Sequence, residues 1–308
     1  MHDITQTPVQ FGPGNELFGM LTVPGHQAPA HTVCLMFNMG ANHRVGPHRI
    51  NVKLAHALAA RGVGSLRFDL GGIGDSRPMK TSPDIQIRAV HCLQAAMDLV
   101  TDMLGARQFV IVAMCSGVAQ SMSVAVVDPR VIGLSLFDGF SFLGRRSRFE
   151  RNLRRILAAP AHPAFRGKVV RWLSRTFGDE KANAPLPDYF AEEIAPEDNK
   201  VWVGDKLREL VEKRVAVQLL YSGSLHVSDR GLDQLGRLAH EPFAKALHYQ
   251  FMPDVDHTVC TQQGQRILLK AVGDWVTSQC FSTRAPANDV ARPRMSRTEV
   301  LPGSWAVS

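Results

Sequence analysis

One short segment of the chain combines two possible nucleophiles with the residue sizes that a reactive turn requires. Residues 111–121 read IVAMCSGVAQS, an apolar stretch that runs directly into small residues. A nucleophile exposed on a sharp strand-to-helix turn needs small residues two positions before and two positions after it. With Cys115 at the tip these are Ala113 and Gly117, whereas Ser116 would be flanked by a methionine and a valine that clash. The spacing favours Cys115 as the nucleophile over a buried structural cysteine.

A histidine near the end of the chain occupies the position expected of a catalytic base. His257 follows an apolar strand-like stretch and precedes the final helical pattern, within 253–263. In this arrangement the acid and then the histidine follow the nucleophile along the chain. Alternatively, His257 is an ordinary surface histidine. His226, in the preceding loop, is the other candidate for the catalytic base.

Three aspartates are candidates for the acid that orients the histidine. Asp229 follows the predicted strand 215–223 and directly precedes a predicted helix, so it is the preferred acid, although the same position suits a helix N-cap. Asp138, at the end of the predicted strand 131–139, is the alternative. Asp256 adjoins the histidine and is disfavoured, because adjacent residues rarely orient each other's side chains.

The elements that must position these side chains alternate between short apolar runs and longer amphipathic segments. This alternation predicts an α/β fold with a mainly parallel sheet. The predicted strands are 17–23, 32–38, 63–70, 109–114, 131–139, 215–223 and 246–253. The predicted helices are 49–62, 85–104, one from about Ser116, one from about 230, and 261–276.

The alternation is interrupted once, after about the sixth strand. Residues 1–140 and 211–281 are predicted to form the core, and 141–210 a helical, basic cap. Residues 282–308 are rich in proline, arginine and small polar residues and are predicted to be a flexible tail.

Composition narrows the classes of function. The chain has 308 residues, 45% of them hydrophobic, with a net charge of +7 and five scattered cysteines. An odd, scattered set of cysteines fits free thiols in the cytoplasm better than disulfides. No secretory signal or membrane span is expected. The histidine and cysteine spacings match no metal motif, and the glycine turn lacks a phosphate-loop pattern, so no metal or cofactor is expected.

Together these motifs resemble the α/β-hydrolase superfamily, and more narrowly the exosortase-A-system-associated hydrolases. The resemblance covers most of residues 15–280 apart from the insertion. Its motifs, in chain order, are RVGPHR (44–49), LRFDLGGIGDS (66–76), AMCSG (113–117), SDRGLDQL (228–235) and DHTV (256–259). The second and last are shared by many α/β hydrolases, and the first is the narrower signal. Ala113 stands where the family usually has glycine.

The resemblance implies roles for individual residues. Cys115 and His257 would be catalytic, and Asp69 with its glycine turn structural. One oxyanion N–H would come from Ser116 and the other from the FNMG turn (37–40), from Met39 or Gly40.

Two further features bear on the substrate and partners. Arg44 and His48, with neighbouring Arg49, could bind a substrate carboxylate or phosphate, although a helix-start role suits the same segment. Residues 144–175 hold ten Lys or Arg and a single acid, Glu150. This basic face is either solvated or meets an acidic partner such as an acyl carrier protein; nucleic acid is not expected, and the oligomeric state is left open.

The sequence therefore predicts an acyl-transfer hydrolase, thioesterase- or esterase-like, that works through a thioester acyl-enzyme. An acyltransferase or cyclase in a biosynthetic pathway is one alternative. A non-catalytic binding protein of the same fold is the other.

Overall fold

A single eight-stranded sheet organises the molecule. The computed structural model describes residues 4–25, 31–79, 84–143, 149, 196–225 and 229–281. The strands are β1 Ile4–Phe11, β2 Leu17–Pro24, β3 Thr32–Met36, β4 Ser65–Phe68, β5 Gln108–Met114, β6 Val131–Phe137, β7 Ala216–Ser222 and β8 His248–Met252. Their order across the sheet is β1-β2-β4-β3-β5-β6-β7-β8.

The sheet is antiparallel only at one side. β1 pairs antiparallel with β2, and β2 antiparallel with β4, whereas every pairing from β4 to β8 is parallel. The central strands are buried on both faces, and they read as continuous apolar runs, as is typical of parallel strands between two helical layers. The carboxyl ends of these parallel strands meet at one edge, where α/β sheets place their ligands.

Helices cover both faces of the sheet. The described α-helices are α1 Ile50–Ala59, α2 Ile85–Leu104, α3 Gly117–Val127, α4 Pro196–Glu212 and α5 Gln262–Phe281. Buried side chains of α2, α3 and α4 share one core layer, and those of α1 and α5 the other. Asp84 starts α2 by accepting hydrogen bonds from the N–H groups of Gln86 and Ile87, and Gly105 ends it in a left-handed conformation.

The predicted fold class is confirmed, and three details differ. The sequence pattern misses β1, because its residues 5–8 are exposed and include Pro8, which suits an edge strand. The helix expected from about 230 is instead the 3-10 helix Asp233–His240, which is kinked at Gly236. Helix α4 falls within the range predicted as cap, yet its buried residues Val203, Leu207 and Leu210 pack into the core.

Two predicted segments lie outside the described residues. These are the basic stretch of the cap, of which only Phe149 is described, and the tail 282–308. Among the helices that the structure describes, none is long and apolar enough to cross a membrane.

Candidate active site

Cys115 lies at the turn between β5 and α3. Its backbone is in the left-handed region at φ 51°, which is strained for a residue with a side chain and is characteristic of a nucleophile elbow. Its N–H donates to the Phe137 carbonyl at 2.9 Å, which ties the turn to β6. A Cβ on Gly117 would lie 3.2 Å from the Asn38 carbonyl oxygen, so the tight turn favours glycine there. The thiol is half-buried and open to a substrate.

His257 approaches the thiol from the loop after β8. The imidazole lies beside the Cys115 thiol and lowers the pKa of the thiol. The ring stacks on Phe137 with centroids 6.4 Å apart. The His257 N–H donates to Ser224 Oγ at 2.7 Å, so a serine after β7 fixes the loop that carries the ring.

Asp138 is the carboxylate that meets the imidazole. Its Oδ2 lies 2.9 Å from His257 Nδ1, and its Oδ1 accepts the Ser222 N–H at 2.8 Å. The residue follows β6 at φ 50°, a conformation that aspartate tolerates better than most residues. A Cβ on the next residue, Gly139, would lie 2.4 Å from Val118, so the chain needs glycine to leave this turn.

The structure corrects the preference for Asp229 as the partner of His257. Asp229 accepts a very short hydrogen bond from the Tyr249 hydroxyl. It also accepts hydrogen bonds from the backbone N–H groups of Gly231 and Asp233, and so stabilises the turn after β7. Asp256 likewise serves its own loop, because it accepts from Thr258 and Cys260. The alternative acid, Asp138, is the one brought to the histidine.

The charges of the three side chains favour an ion pair. Hydrogen bonds to Asp138 and then to Cys115 raise the pKa of His257 to about 10. The hydrogen bond from His257 lowers the pKa of the Cys115 thiol, against the opposing effect of burial. Both shifts favour the thiolate–imidazolium form of the pair, and a thiolate is the reactive form of cysteine.

The predicted oxyanion groups surround the elbow, and one of them already has a partner. Ser116 is exposed and begins α3. Its hydroxyl accepts the Gly40 N–H at 2.8 Å, which holds the loop after β3 against the elbow. The Gly40 N–H is thus engaged, which leaves Met39 as the better candidate for the second donor beside the Ser116 N–H. The serine hydroxyl had no assigned role in the sequence prediction.

The aspartate of the glycine turn, Asp69, is fully buried and organises the loops around the elbow. It accepts hydrogen bonds from Asn38 Nδ2, at 2.8 Å, and from the Arg44 and Asp75 N–H groups. The side-chain amide oxygen of Asn38, Oδ1, in turn accepts a hydrogen bond from the Leu70 N–H. This network agrees with the structural role expected of Asp69.

The two residues expected to bind substrate lie in the segment between β3 and α1. Arg44 is buried, and its Nη1 donates to Asp69 and, at 2.7 Å, to Asp75. This corrects the expectation for Arg44, because its charge is already paired inside the protein. His48 is exposed in the 3-10 helix Pro47–Arg49, at φ 48°. The rival base His226 lies outside the described residues.

One group of possible metal ligands occurs in the described part of the chain. His43, Asp69 and Asp75 bring ligand atoms within 4.8 Å of one another. The Arg44 guanidinium contacts all three, so a side-chain cation occupies the place that a metal would take.

Sequence reasoning missed three residues of the site. Ser222 and Ser224 position the acid and the histidine loop, and Asn38 supports the oxyanion loop. Two serines at the end of a parallel strand form no distinctive sequence pattern. The signal that the sequence did offer was the aspartate–glycine pair at 138–139, which is typical of a turn.

No protein-family model and no curated protein matches this chain. Solved structures do match it over most of its length. Est1E from Butyrivibrio proteoclasticus is 12% identical with a TM-score of 0.54, covering 88% of this chain and 98% of that one. An esterase domain from Rhodothermus marinus is 15% identical with a TM-score of 0.51, covering 89% and 98%.

A third structure is an α/β serine hydrolase without a lid from Xanthomonas campestris. It is 12% identical with a TM-score of 0.51, covering 91% of this chain and 97% of that one. At such identities the likeness establishes the fold alone, and the chain has the α/β-hydrolase fold. The narrower likeness to exosortase-associated hydrolases stays a prediction.

Proposed function

We propose that this α/β-hydrolase-fold protein is an acyl-transfer hydrolase in which Cys115, His257 and Asp138 form the catalytic triad. One observation carries the proposal: a half-buried thiol on a left-handed turn lies beside an imidazole whose Nδ1 is 2.9 Å from a carboxylate oxygen. This is the nucleophile–base–orienter arrangement of covalent acyl transfer. Esterase and hydrolase names among the structural neighbours are compatible with it.

The first half of the reaction forms an acyl-enzyme. The Cys115 thiolate attacks the acyl carbon, and the resulting oxyanion accepts hydrogen bonds from the Ser116 and Met39 N–H groups. The bond to the leaving group then breaks, and the His257 imidazolium donates its proton to that group. Asp138 keeps the proton on Nδ1 and stabilises the imidazolium.

The second half hydrolyses the acyl-enzyme. Once the sulfur is acylated, the thiolate that helped to raise the pKa of His257 is gone. The pKa of His257 therefore falls, and the imidazole, neutral after giving its proton to the leaving group, takes a proton from the attacking water. The carbon–sulfur bond then breaks and releases the thiolate, and the proton taken from water stays on the imidazole, which restores the thiolate–imidazolium pair.

A thioester or activated ester suits this nucleophile. Transfer of an acyl group from one sulfur to another is nearly isoenergetic, so the thiolate of a thioester substrate leaves about as readily as the Cys115 thiolate attacks. The thiolate also depends less on the base than a serine hydroxyl would. We also propose an acyl carrier protein as the carrier of the thioester. This part depends on the basic segment 144–175, of which only Phe149 is among the described residues.

The function is tested by trapping the acyl group. The protein is mixed with a small acyl thioester, quenched in acid within the first turnover, and analysed by peptide mass spectrometry. We expect the acyl mass on the peptide that contains Cys115, and not on the exposed Cys260. Protein that hydrolyses the thioester without any adduct on Cys115 would contradict covalent catalysis. Protein that neither hydrolyses nor is acylated would favour a binding role for the fold.

The pH dependence of kcat/KM follows from the two shifted pKa values. The reactive thiolate–imidazolium form accumulates as pH rises through the lowered pKa of Cys115 and is lost as pH rises through about 10, the pKa of His257. We therefore expect a broad plateau with an alkaline limb near pH 10. Asp138→Asn should move that limb to lower pH, because the main cause of the raised histidine pKa is removed. An alkaline limb near the ordinary histidine value in the unaltered protein would contradict the ion pair.

A further inference from the structure

The loop that carries His257 contains a strained residue. Val259, two positions after the histidine, has φ 53°, and among the described residues with positive φ it is the one with a β-branched side chain. A left-handed backbone is unfavourable for such a side chain, so it persists only where surrounding contacts impose it. The side chain is fully buried in the core layer of α1 and α5. The contacts of Val259 must therefore hold the turn in this conformation.

Gln265 of α5 supplies a contact from outside the turn. Its side-chain Nε2 donates a hydrogen bond to the Val259 carbonyl at 3.0 Å, and the glutamine is only 8% exposed. Within the turn, the Val259 N–H donates to the Asp256 carbonyl at 2.9 Å. Both backbone polar groups of Val259 are therefore satisfied, and one of the two partners belongs to a long helix.

The side-chain amide of Gln265 is itself oriented by a charge. Its Oε1 accepts a hydrogen bond from Lys53 Nζ on α1. Because an ammonium group can only donate, it keeps the oxygen of the amide toward α1 and the NH2 group toward Val259. Helix α1 follows the segment after β3 that contains the expected oxyanion donor Met39. This chain of contacts therefore connects the two sides of the candidate site.

We propose that Gln265 is a positioning residue for His257, acting through the left-handed turn at Val259. This role rests on the proposed triad, in which the ring must meet Asp138 and Cys115 together. Loss of the Nε2 donor would leave the buried Val259 carbonyl without this partner, and it would remove a contact that opposes relaxation of the strained turn. The ring would then move relative to the carboxylate and the thiol. Gln265 acts through the backbone rather than on the reacting atoms.

Alkylation of Cys115 reports the position of the ring without any turnover. His257 lowers the pKa of the thiol, whereas burial and Asp138 raise it, so displacement of the ring raises that pKa. The full-length protein is treated with iodoacetamide over a range of pH, well below its Tm, and the modified Cys115 peptide is quantified by mass spectrometry. In Gln265→Met we expect the midpoint of this profile to rise by about one pH unit. A purely structural role would lower Tm and leave the midpoint unchanged.

Further variants separate the two ends of the amide. Gln265→Glu keeps an oxygen for Lys53 but removes the donor to Val259, so it should raise the midpoint as Gln265→Met does. Lys53→Met, at an exposed position, removes only the orienting charge and should raise the midpoint by less. It carries the test if neither Gln265 variant folds. Gln263→Met, at an exposed position on the same helix, is the matched control and should leave the midpoint unchanged.

The outcomes distinguish this role from the proposed function. An unchanged midpoint in folded Gln265 variants would overturn the role of Gln265 and leave the triad intact. So would an equal rise in Gln263→Met, or an unchanged midpoint in Lys53→Met where both Gln265 variants fail to fold. An ordinary thiol midpoint in the unaltered protein would contradict the thiolate–imidazolium pair and the role of Gln265 with it. Alkylation needs no acyl substrate, so the test holds even for protein that hydrolyses no thioester.

Discussion

Replacing Cys115 by alanine is expected to lower kcat/KM for a small thioester by about four orders of magnitude. The variant retains the oxyanion N–H groups and the histidine–aspartate pair, so the remaining activity is that of a water molecule activated by His257. The loss should appear in kcat rather than in KM, because the thiol acts on the reacting carbon. Steady-state kinetics with the thioester, corrected for spontaneous hydrolysis, measure it.

Two further variants sharpen this test. Cys260→Ala should leave kcat/KM unchanged, because that thiol is exposed and hydrogen-bonds only within its own loop. Ser116→Ala should lower kcat by about tenfold, since the hydroxyl that holds the Gly40 N–H is lost while the backbone donor remains. Activity retained in Cys115→Ala but lost in Ser116→Ala would make the serine the nucleophile.

Asp138→Asn is expected to lower kcat by about four orders of magnitude. The Ser222 N–H, 2.8 Å from Oδ1, fixes the oxygen of the new amide on its own side. The amide NH2 group then faces His257 Nδ1 and accepts no proton from it. The neutral ring is held in the tautomer whose proton faces Cys115, so it cannot take a proton from the thiol, and the imidazolium forms only at lower pH than in the unaltered protein.

Asp229→Asn separates orientation of the histidine from stability of the fold. Asp229 binds Tyr249 and the turn after β7, so its replacement should lower Tm while kcat changes less than about tenfold. Thermal unfolding and kinetics of both variants in parallel give the comparison. A larger kcat loss for Asp229→Asn than for Asp138→Asn would show that the acid follows β7.

The elbow could be predicted from sequence because its geometry restricts residue size. A left-handed turn packed against the Asn38 carbonyl excludes large neighbours, and the sequence records that exclusion at Ala113 and Gly117. The central strands and α2 were similarly predictable, because burial on both faces produces long apolar runs and Asp84 and Gly105 mark the helix ends.

The identity of the acid could not be read in the same way. The loops after β6 and β7 end at the same edge of the sheet, and each carries an aspartate before a turn. Which carboxylate reaches the histidine depends on side-chain direction, which the positive φ of Asp138 and the Ser222 N–H decide.

The three members of the proposed triad are held to the sheet in different ways. Cys115 and Asp138 follow β5 and β6, adjacent central strands whose relative position changes only if the sheet itself opens. His257 follows β8, the last strand of the sheet, and its loop is held by the Ser224 hydroxyl and a ring stack. Loops at a sheet edge open at lower free energy than the centre. We therefore expect the proposed activity to be lost reversibly on heating, several degrees below the temperature at which the protein unfolds. Substitutions meant to extend its working temperature should be made in the loop after β8 rather than in the core.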